Sequence, residues 1–289
     1  MEGGTRLAGN RRSSRPDAPL VSVVTVVFNG EAHIEQAILS VLGQRYPNVE
    51  YIVKDGGSTD GTLSILGRYA DRIDYWVSEP DRGIYDAMNK GVALSSGDLV
   101  GLLNCDDWYT PEAIEEAVRA FLAQPDREAV VAGKWRVVLE DIPMTITIAP
   151  SLKFRVGMPI CHQSMFIPRA LYRRLGVYDL RYRMGSDLDL TVRFHVNGVK
   201  FVLIDAVIVN YRTGGSSVRH FRELGAEHSR ILRANLPWTT YALHRMIRFK
   251  FEMLMVISIM LRKTIGESAT GRLARVHYKL RKSFSRYWE

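Results

Sequence analysis

Long apolar runs without alternating polar positions recur in the first hundred residues of the chain. The run LVSVVTVVF (20–28) is rich in β-branched residues, which is typical of a strand buried on both faces of a sheet. The segments VEYIVKD (49–55) and DLVGLLN (98–104) have the same character. Between the first two, EAHIEQAILSVLGQ (31–44) carries apolar residues at helical spacing. The pattern predicts a mostly parallel α/β sheet flanked by helices, with right-handed crossovers.

The same periodicities predict the remaining elements. A further strand is expected at IDYWVSE (73–79), which makes it the third along the chain and DLVGLLN (98–104) the fourth. A helix is expected between these two strands at DAMNKGVALS (86–95). After Thr110 the pattern is less regular. There it favours strands at 129–138 and 200–211 and helices at 111–123 and 186–196.

Polar residues follow each predicted strand in the first half of the chain. They are Asn29, Asp55, the turn 79–82 and the group 104–107. In open α/β sheets, ligands bind at the carboxyl ends of the strands. These residues therefore mark the expected ligand site.

The net charge of +8 is confined to the end of the chain. Residues 241–289 hold eleven Lys and Arg against three Glu, which accounts for the whole excess. The main domain is neutral, so any function that depends on positive charge belongs to the C-terminal segment.

The domain boundaries follow from composition. Residues 1–18 are rich in Arg, Gly, Ser and Pro and contain no apolar run, so we expect a disordered leader and no secretory signal.

The longest apolar stretch, 251–261, is half the ~20 residues needed to cross a bilayer. Two widely spaced cysteines indicate reduced thiols. We expect a cytoplasmic protein with a main domain over 19–235 and an extension over 236–289.

Two adjacent acids, Asp106 and Asp107, end the apolar run of the fourth predicted strand. They are either a helix cap or metal ligands. Thr110 with Pro111 and Glu112 already supplies a helix start, which leaves the aspartates free. Carboxylates combined with substrate phosphates are a usual shell for Mg²⁺ or Mn²⁺, so we favour a metal carried with a phosphate ligand.

Two turns admit a structural and a ligand-binding interpretation. KDGGSTDGT (54–62) is either an ordinary glycine turn or a loop in which Gly56 lets the backbone approach a ligand and Asp55 bonds a ribose or base. In EPDRGIYDAMNKG (79–91), Arg82 is either a surface residue or a clamp for a diphosphate, with Asn89 on the helix that follows.

Two later motifs are also ambiguous. In MGSDLDL (184–190) the acids Asp187 and Asp189 precede or begin a helix, where they stabilise its dipole or act in chemistry. In PICHQSMFIPR (159–169), His162 and Gln163 are either satisfied structural residues or ligand contacts.

Taken in order, six motifs carry a resemblance to a known family. The motifs are VSVVTVVFNGEAHIEQAILSVLGQ, DGGSTDGT, PDRGIYDAMNKG, LLNCDDWYTP, CHQSMFIPR and GSDLDLTVRF. Together they resemble the family 2 glycosyltransferases of the GT-A fold. The similarity is strongest to the branch that makes bacterial cell-envelope polysaccharides and glycolipids, and it covers residues 19–215. It implies a Rossmann-like GT-A domain.

The resemblance also implies roles for individual residues. The nucleotide-sugar would be held by Val26, Phe28, Asn29, Glu31, Asp55, Gly56, Arg82, Asn89, Asn104, Asp106, His162 and Gln163. The DxD element of the family corresponds to residues 104–107, with Asn104 where many relatives carry an acid. Asp107 is then the metal ligand, assisted by Asp106, for Mn²⁺ or Mg²⁺.

The family's catalytic base corresponds to Asp187, with Asp189 as a weaker candidate. Inverting sugar transfer needs one carboxylate to accept the proton of the acceptor hydroxyl and a cation to stabilise the leaving diphosphate. The implied activity is metal-dependent inverting transfer of a hexosyl or deoxyhexosyl group from a nucleotide-diphosphate-sugar to a lipid-linked or cell-envelope glycan.

The C-terminal extension suggests a membrane contact. Basic residues from Arg272 to Arg286 recur every three or four positions beside an apolar stripe, which predicts a basic amphipathic helix. Such helices lie on anionic bilayer surfaces, here the inner face of the cell membrane. The alternative is packing on the main domain or on a second subunit, as in a homo-oligomer. No nucleic-acid module accompanies the charge, so RNA binding is disfavoured.

Two other functions compete with sugar transfer. A nucleotidyltransferase acting on sugar phosphates would need a Gly-rich basic loop after the first strand, and VVFNGEAHIE (26–35) has one Gly and no Lys or Arg. A non-catalytic nucleotide-sugar-binding homologue would not need the acids, yet Asp55, Asp106, Asp107 and Asp187 are all present. We therefore predict an enzyme.

Overall fold

A computed structural model describes residues 1–139, 144–154, 158–213 and 221–247, together with Phe249 and Met253. Its centre is a ten-stranded sheet. The strands are β1 (Glu2–Gly3), β2 (Val21–Val27), β3 (Val49–Asp55), β4 (Tyr75–Ser78), β5 (Leu99–Asn104), β6 (Trp108–Tyr109), β7 (Val130–Leu139), β8 (Met144–Ile148), β9 (Met165–Pro168) and β10 (Phe201–Arg212). They follow the order β1-β4-β3-β2-β5-β9-β7-β10-β6, and β8 pairs with β7.

Seven α-helices accompany the sheet in the described residues. They are α1 (Ile34–Leu42), α2 (Thr62–Arg68), α3 (Ile84–Leu94), α4 (Ala113–Leu122), α5 (Arg169–Leu175), α6 (Ser186–Val196) and α7 (Phe221–Asn235). Residues 238–247 are also helical.

The first half of the sheet is a parallel block. The neighbours β4, β3, β2 and β5 are all parallel, and every residue of β2 and β3 is buried. Helices α1, α2 and α4 cover one face of the sheet, and α3, α5 and α6 cover the other. Gly91 lets α3 lie close on β2, since a Cβ there would stand 2.2 Å from Val24 Cγ1. The predicted α/β architecture is confirmed.

The second half of the sheet is mixed. The short strand β9 pairs antiparallel with β5 and with β7, and β10 runs parallel to β7 with two register shifts. The two-residue strand β6 pairs antiparallel with β10 at Val209 and Asn210. This pairing brings the segment after β5 against the carboxyl end of β10, where the acid pair lies.

The N-terminal segment differs from the prediction of a disordered leader. β1 pairs with β4, and the Met1 amine donates to the Ser78 carbonyl oxygen at 3.0 Å. Arg12 also donates to Asp74 at 2.9 Å. The expectation was wrong at residues 1–12 because strand pairing and a buried acid hold a segment whose own composition contains no apolar run.

The C-terminal extension lies mostly beyond the described residues. His244, on the helical segment 238–247, is buried and its Nε2 lies 3.2 Å from Ser229 Oγ of α7. The predicted basic helix around Arg272–Arg286 falls outside the described residues. Within the described part of the chain, no helix is both long enough and apolar enough to span a bilayer.

Candidate active site

The parallel strands end at one edge of the sheet. Val27 of β2 is in register with Asp55 of β3, which is in register with Ser78 of β4, and Val26 is in register with Asn104 of β5. The polar residues that follow the strands in the sequence are thus brought together at this edge. Val26 itself is 5% exposed and packs in the core, so its side chain faces the protein interior.

The loops after β2 and β3 are tied to each other. The main-chain N–H of Asn29 donates to Ser58 Oγ at 2.7 Å, and the main-chain N–H of Thr59 donates to Asn29 Oδ1 at 2.8 Å. Asn29 adopts a left-handed conformation with φ +50°, which Asn tolerates better than most residues. Glu31 accepts from the Gly61 N–H at 2.5 Å. The polar side chains predicted to hold a nucleotide therefore brace the loops, while Phe28 beside them is 63% exposed.

Asp55 is fully buried at the end of β3. Its carboxylate accepts from the Gly57 and Ser58 N–H groups at 3.0 and 2.9 Å and from Ser78 Oγ at 2.6 Å. Gly56 leaves no room for a side chain, since a Cβ there would stand 2.5 Å from Asp81 Oδ2. Asp55 thus shapes the loop on which a ligand would lie.

Arg82 and Asn89 have different environments. Arg82 is 78% exposed at its side chain and bonds Asp86 at 3.1 Å, so its guanidinium borders the open edge. The Asn89 amide instead makes two hydrogen bonds with the main chain of Tyr178, at 2.8 and 2.9 Å. Both ends of the Asn89 amide are occupied by the protein, which makes it a tie between α3 and the segment before α6.

The two acids after β5 face different surroundings. Asp107 is 2% exposed, and its two oxygens accept from Gln163 Nε2 at 2.6 Å and from the Arg212 N–H at 2.8 Å. Burial and then the neighbouring Asp106 raise the pKa of Asp107 well above its ordinary value. Asp106 is partly exposed. Asp106 is thus the more accessible of the two carboxylates, whereas the sequence analysis ranked Asp107 first as a metal ligand.

Three buried polar atoms in the site motifs have no hydrogen-bond partner among the described residues. They are Asn104 Oδ1, His162 Nε2 and Ser186 Oγ. A buried polar atom without a partner costs about 1–3 kcal/mol, so such atoms invite a ligand or water. All three belong to the motifs that the sequence analysis singled out.

Asp187 is the second residue of α6 and is half-buried. Its Oδ2 lies 3.6 Å from His162 Nδ1, and its Oδ1 lies 3.1 Å from the Tyr85 hydroxyl. Burial alone would raise the pKa of Asp187, but His162 and the nearby His228 outweigh burial and hold it below the ordinary value. The carboxylate is therefore ionised at neutral pH.

Asp189 lies apart from this group. Its carboxylate accepts from Arg193 one turn along α6 at 2.6 Å, and Arg193 also donates to the carbonyl oxygen of Leu175 at 2.7 Å. Asp189 is thus part of a structural ion pair, and the structure brings only Asp187 to the strand-end edge.

One dipeptide joins the two acidic groups. His162 lies beside Asp187, and the next residue, Gln163, bonds Asp107 at 2.6 Å. Gln163 is 1% exposed and also accepts from Cys161 Sγ at 2.8 Å. Residues 162–163 therefore connect the predicted base, Asp187, to Asp107.

Several residues of the site were missed from the sequence. Tyr85 contacts Asp187, and Glu227 bonds the loop before α6. The main-chain N–H of Arg212 donates to the Asp107 carboxylate, and its guanidinium donates to the main-chain carbonyl oxygen of Asp106. Tyr85 stands within a motif that the sequence analysis quoted, but neither Arg212 nor Glu227 is marked by its local sequence. Among the described residues, no group of three or more His, Cys, Asp or Glu is arranged to hold a metal.

Comparison with known proteins identifies the class. The pattern of glycosyl transferase family 2 matches residues 22–170. The chain belongs to this family, and it is a glycosyltransferase. An uncharacterized glycosyltransferase of Mycobacterium tuberculosis is 36% identical over 185 residues, covering 61% of this chain and 69% of the relative. A PGL/p-HBAD biosynthesis glycosyltransferase of the same species is 31% identical over 194 residues, covering 62% and 71%.

Solved structures show the same fold at low sequence identity. TarS 1–349 of S. aureus in complex with UDP-GlcNAc has a TM-score of 0.60 and 18% identity, covering 77% of this chain and 69% of that one. The mannosyltransferase PcManGT of Pyrobaculum calidifontis, in complex with GDP-Man and Mn²⁺, has a TM-score of 0.64 and 19% identity, covering 98% and 88%. The GT-A fold expected from the sequence is confirmed.

Proposed function

We propose that the protein is a metal-dependent inverting glycosyltransferase that moves a sugar from a nucleotide-diphosphate-sugar to a hydroxyl group of a glycolipid or cell-envelope glycan. The observation that carries this proposal is the dipeptide His162–Gln163, which touches Asp187 on one side and Asp107 on the other. A base and an acid pair that flank one short segment suit a reaction in which bond making and bond breaking occur on opposite sides of one sugar carbon.

The base step falls to Asp187. Its ionised carboxylate accepts the proton of the acceptor hydroxyl as that oxygen attacks the anomeric carbon. The bond from the anomeric carbon to the diphosphate oxygen breaks, and its electron pair leaves with the nucleoside diphosphate. A single displacement of this kind inverts the anomeric configuration and needs no covalent enzyme intermediate.

The residues present fit a divalent cation. The partly exposed residue Asp106 offers a carboxylate, and the buried Asn104 Oδ1 next to it has no partner in the described chain. Two hard oxygen ligands completed by substrate phosphates are a usual arrangement for Mg²⁺ or Mn²⁺. When bound, the cation stabilises the negative charge that develops on the leaving diphosphate. Asp107 then orients this segment through its bonds to Gln163 and Arg212.

The nucleotide is assigned to the loops after β2 and β3. The exposed Phe28 ring lies against Gly56, where a Cβ would stand 3.3 Å from Phe28 Cδ2. This gives an aromatic surface beside an open backbone, on which a base can stack. The exposed guanidinium of Arg82, in the turn after β4, is assigned to the diphosphate. Bound UDP-GlcNAc in TarS and bound GDP-Man with Mn²⁺ in PcManGT support a nucleotide-sugar donor.

The acceptor is assigned by similarity and by the C-terminal charge. The relative involved in PGL/p-HBAD biosynthesis supports a glycolipid or envelope acceptor. The basic extension over 236–289 supports a peripheral position on the inner face of the cell membrane, where such acceptors are found.

The first experiment is a thermal-shift panel of UDP, GDP, dTDP and CDP, each with and without Mn²⁺. A ligand at about 100 times its Kd stabilises the protein by about 2.7 kcal/mol, which such an assay detects. We expect one nucleotide to give a Mn²⁺-dependent rise in Tm. Asp71→Ala, at an exposed acid that belongs to none of the site motifs, is the control variant and should respond as the wild type does. No shift with any nucleotide would contradict the proposal.

A further inference from the structure

Glu227 on α7 is bound to the loop that carries the base. Its carboxylate accepts three consecutive main-chain N–H groups: Arg183 at 3.0 Å, Met184 at 2.9 Å and Gly185 at 2.8 Å. The residue is 9% exposed. Three donors on one buried carboxylate form a strong cluster, because each bond is charge-assisted.

These three N–H groups immediately precede the start of α6. Gly185 is the N-cap of that helix, and Asp187 is its second residue. The position of the Asp187 carboxylate therefore depends on the conformation of residues 183–185. Tyr85 adds a second restraint, since its hydroxyl donates to the Met184 carbonyl oxygen at 2.7 Å.

The contact between α7 and this loop is close. A Cβ at Gly185 would stand 3.1 Å from Ile231 Cδ1 and 3.3 Å from Glu227 Cβ. Below the loop, Leu188 and Val192 of α6 share a buried cluster with Ile231 and Leu232 of α7. Helix α7 is thus fixed against α6 by apolar packing, which holds the Glu227 carboxylate at the loop.

The loop cannot satisfy these N–H groups by itself. The nearest acid before the loop, Asp179, is engaged by Arg181 at 2.6 Å, and α6 has no side-chain N-cap bond. Without Glu227, the three N–H groups would each lose a partner, and the loop would have to move for them to reach water. Movement of the loop would move Asp187.

We propose that Glu227 is a positioning residue for the catalytic base. It holds the loop 183–185 so that Asp187 meets the acceptor hydroxyl, and it does so from a helix outside residues 22–170 that match the family pattern. This inference rests on the proposed function, because it takes Asp187 as the base. It gives Glu227 a role in positioning the base, beyond the packing of α7 on the domain.

The test compares Glu227→Gln with the wild type and with Arg230→Gln. Glutamine keeps the shape but cannot accept three N–H groups and would present an amide donor to them. Arg230 is 68% exposed and lies 3.8 Å from Glu227, so its replacement removes the neighbouring charge and leaves the three bonds. The readout is release of nucleoside diphosphate from the donor by hydrolysis, measured as kcat and KM, together with nucleotide affinity by calorimetry.

We expect Glu227→Gln to lower kcat about 10- to 100-fold, the order of loss that a displacement near 1 Å causes, with donor KM and nucleotide affinity unchanged. Arg230→Gln should match the wild type. An unchanged kcat, or a parallel loss of kcat and nucleotide affinity, would overturn the positioning role.

Hydrogen exchange supplies a measurement that needs no substrate. In Glu227→Gln, the amides of residues 183–185 should exchange faster, while those of β2 and β5 stay protected. If the wild type binds and hydrolyses no nucleotide-sugar, the proposed function fails, and the exchange result still decides whether Glu227 holds this loop. Unchanged exchange at 183–185 would refute the inference.

If Glu227→Gln does not fold, Glu227→Asp, which retains the charge on a shorter side chain, is measured in the same two assays with the same expectations.

Discussion

Nδ1 of His162 lies 3.6 Å from Oδ2 of Asp187, and this pair sets the charge of the proposed base. The carboxylate is half-buried, and burial by itself would favour its neutral form. The histidine favours the ionised form, and the pKa of Asp187 consequently lies below its ordinary value. The base is therefore ready to accept a proton at neutral pH without a change of state.

The pH dependence of turnover tests this relationship. A lowered pKa keeps Asp187 ionised as the pH falls, so activity should persist below the range expected for a buried acid. His162→Gln removes the histidine's contribution and leaves burial, so the acid limb of kcat should move to higher pH. The measurement is kcat for donor hydrolysis from about pH 3, below the ordinary pKa of Asp, to about pH 8. An acid limb that stays in place in His162→Gln would show that the pair does not set the charge of Asp187.

The two acids after β5 should respond differently to substitution. Asp106→Ala removes the accessible carboxylate, so the Mn²⁺-dependent part of nucleotide binding should be lost with little change in the Tm of the free protein. Asp107→Asn disturbs a buried carboxylate bonded to Gln163 and Arg212, so Tm should change in the free protein while Mn²⁺ still promotes binding. Calorimetric titration with and without Mn²⁺ distinguishes the variants. Loss of the metal effect in Asp107→Asn alone would restore the ranking that the sequence suggested.

Arg82 is expected to contact the ligand, whereas Asn89 is expected to have a structural role. Arg82→Ala should weaken nucleotide-diphosphate binding and leave Tm unchanged, because the guanidinium is exposed. Asn89→Ala breaks two hydrogen bonds to Tyr178 and should destabilise the protein by about 1–3 kcal/mol. Denaturant titration and nucleotide affinity are measured on both variants. A stable Asn89→Ala protein with selectively weakened nucleotide binding would return Asn89 to the ligand site.

The C-terminal extension is tested by truncation after residue 249. This boundary keeps His244, which packs on α7, and removes nine of the eleven basic residues found beyond Tyr241. Each basic residue near an anionic surface contributes about 1 kcal/mol, so the truncated protein should no longer co-sediment with phosphatidylglycerol vesicles. Phosphatidylcholine vesicles are the control for both proteins. Equal co-sedimentation of the full and truncated chains would instead favour packing of the extension on the domain or on a second subunit.

The sequence predicted those parts of the site whose structure is determined by the local pattern of residues. Strands such as β2 and β3 are continuous apolar runs, and the polar residues after them fall at one sheet edge because parallel strands share a direction. It did not predict β9, which has four residues and lies between β5 and β7. So short a segment has no readable period, and its place is set by antiparallel pairing with distant strands.

Roles that depend on long-range contacts were also hidden. The sequence ranks Asp107 above Asp106 as a metal ligand. In the fold, however, Asp107 is bonded to Gln163, which lies 56 residues away along the chain. Asn89 is occupied by Tyr178, 89 residues away, and Glu227 contacts Gly185, 42 residues away. In each case the residue type is correct for ligand chemistry, and only the fold decides whether a ligand or the protein uses it.

The most direct test of the account is the anomeric configuration of the sugar released by donor hydrolysis, followed by proton NMR before mutarotation. We expect an α-linked donor to yield the β sugar first. In Asp187→Asn this reaction should slow about 10²- to 10⁴-fold, while nucleotide affinity is retained. Asp189→Asn, which breaks an ion pair with Arg193, should lose stability and keep the rate. Release of the α sugar, or an undiminished rate in Asp187→Asn, would contradict single displacement with Asp187 as its base.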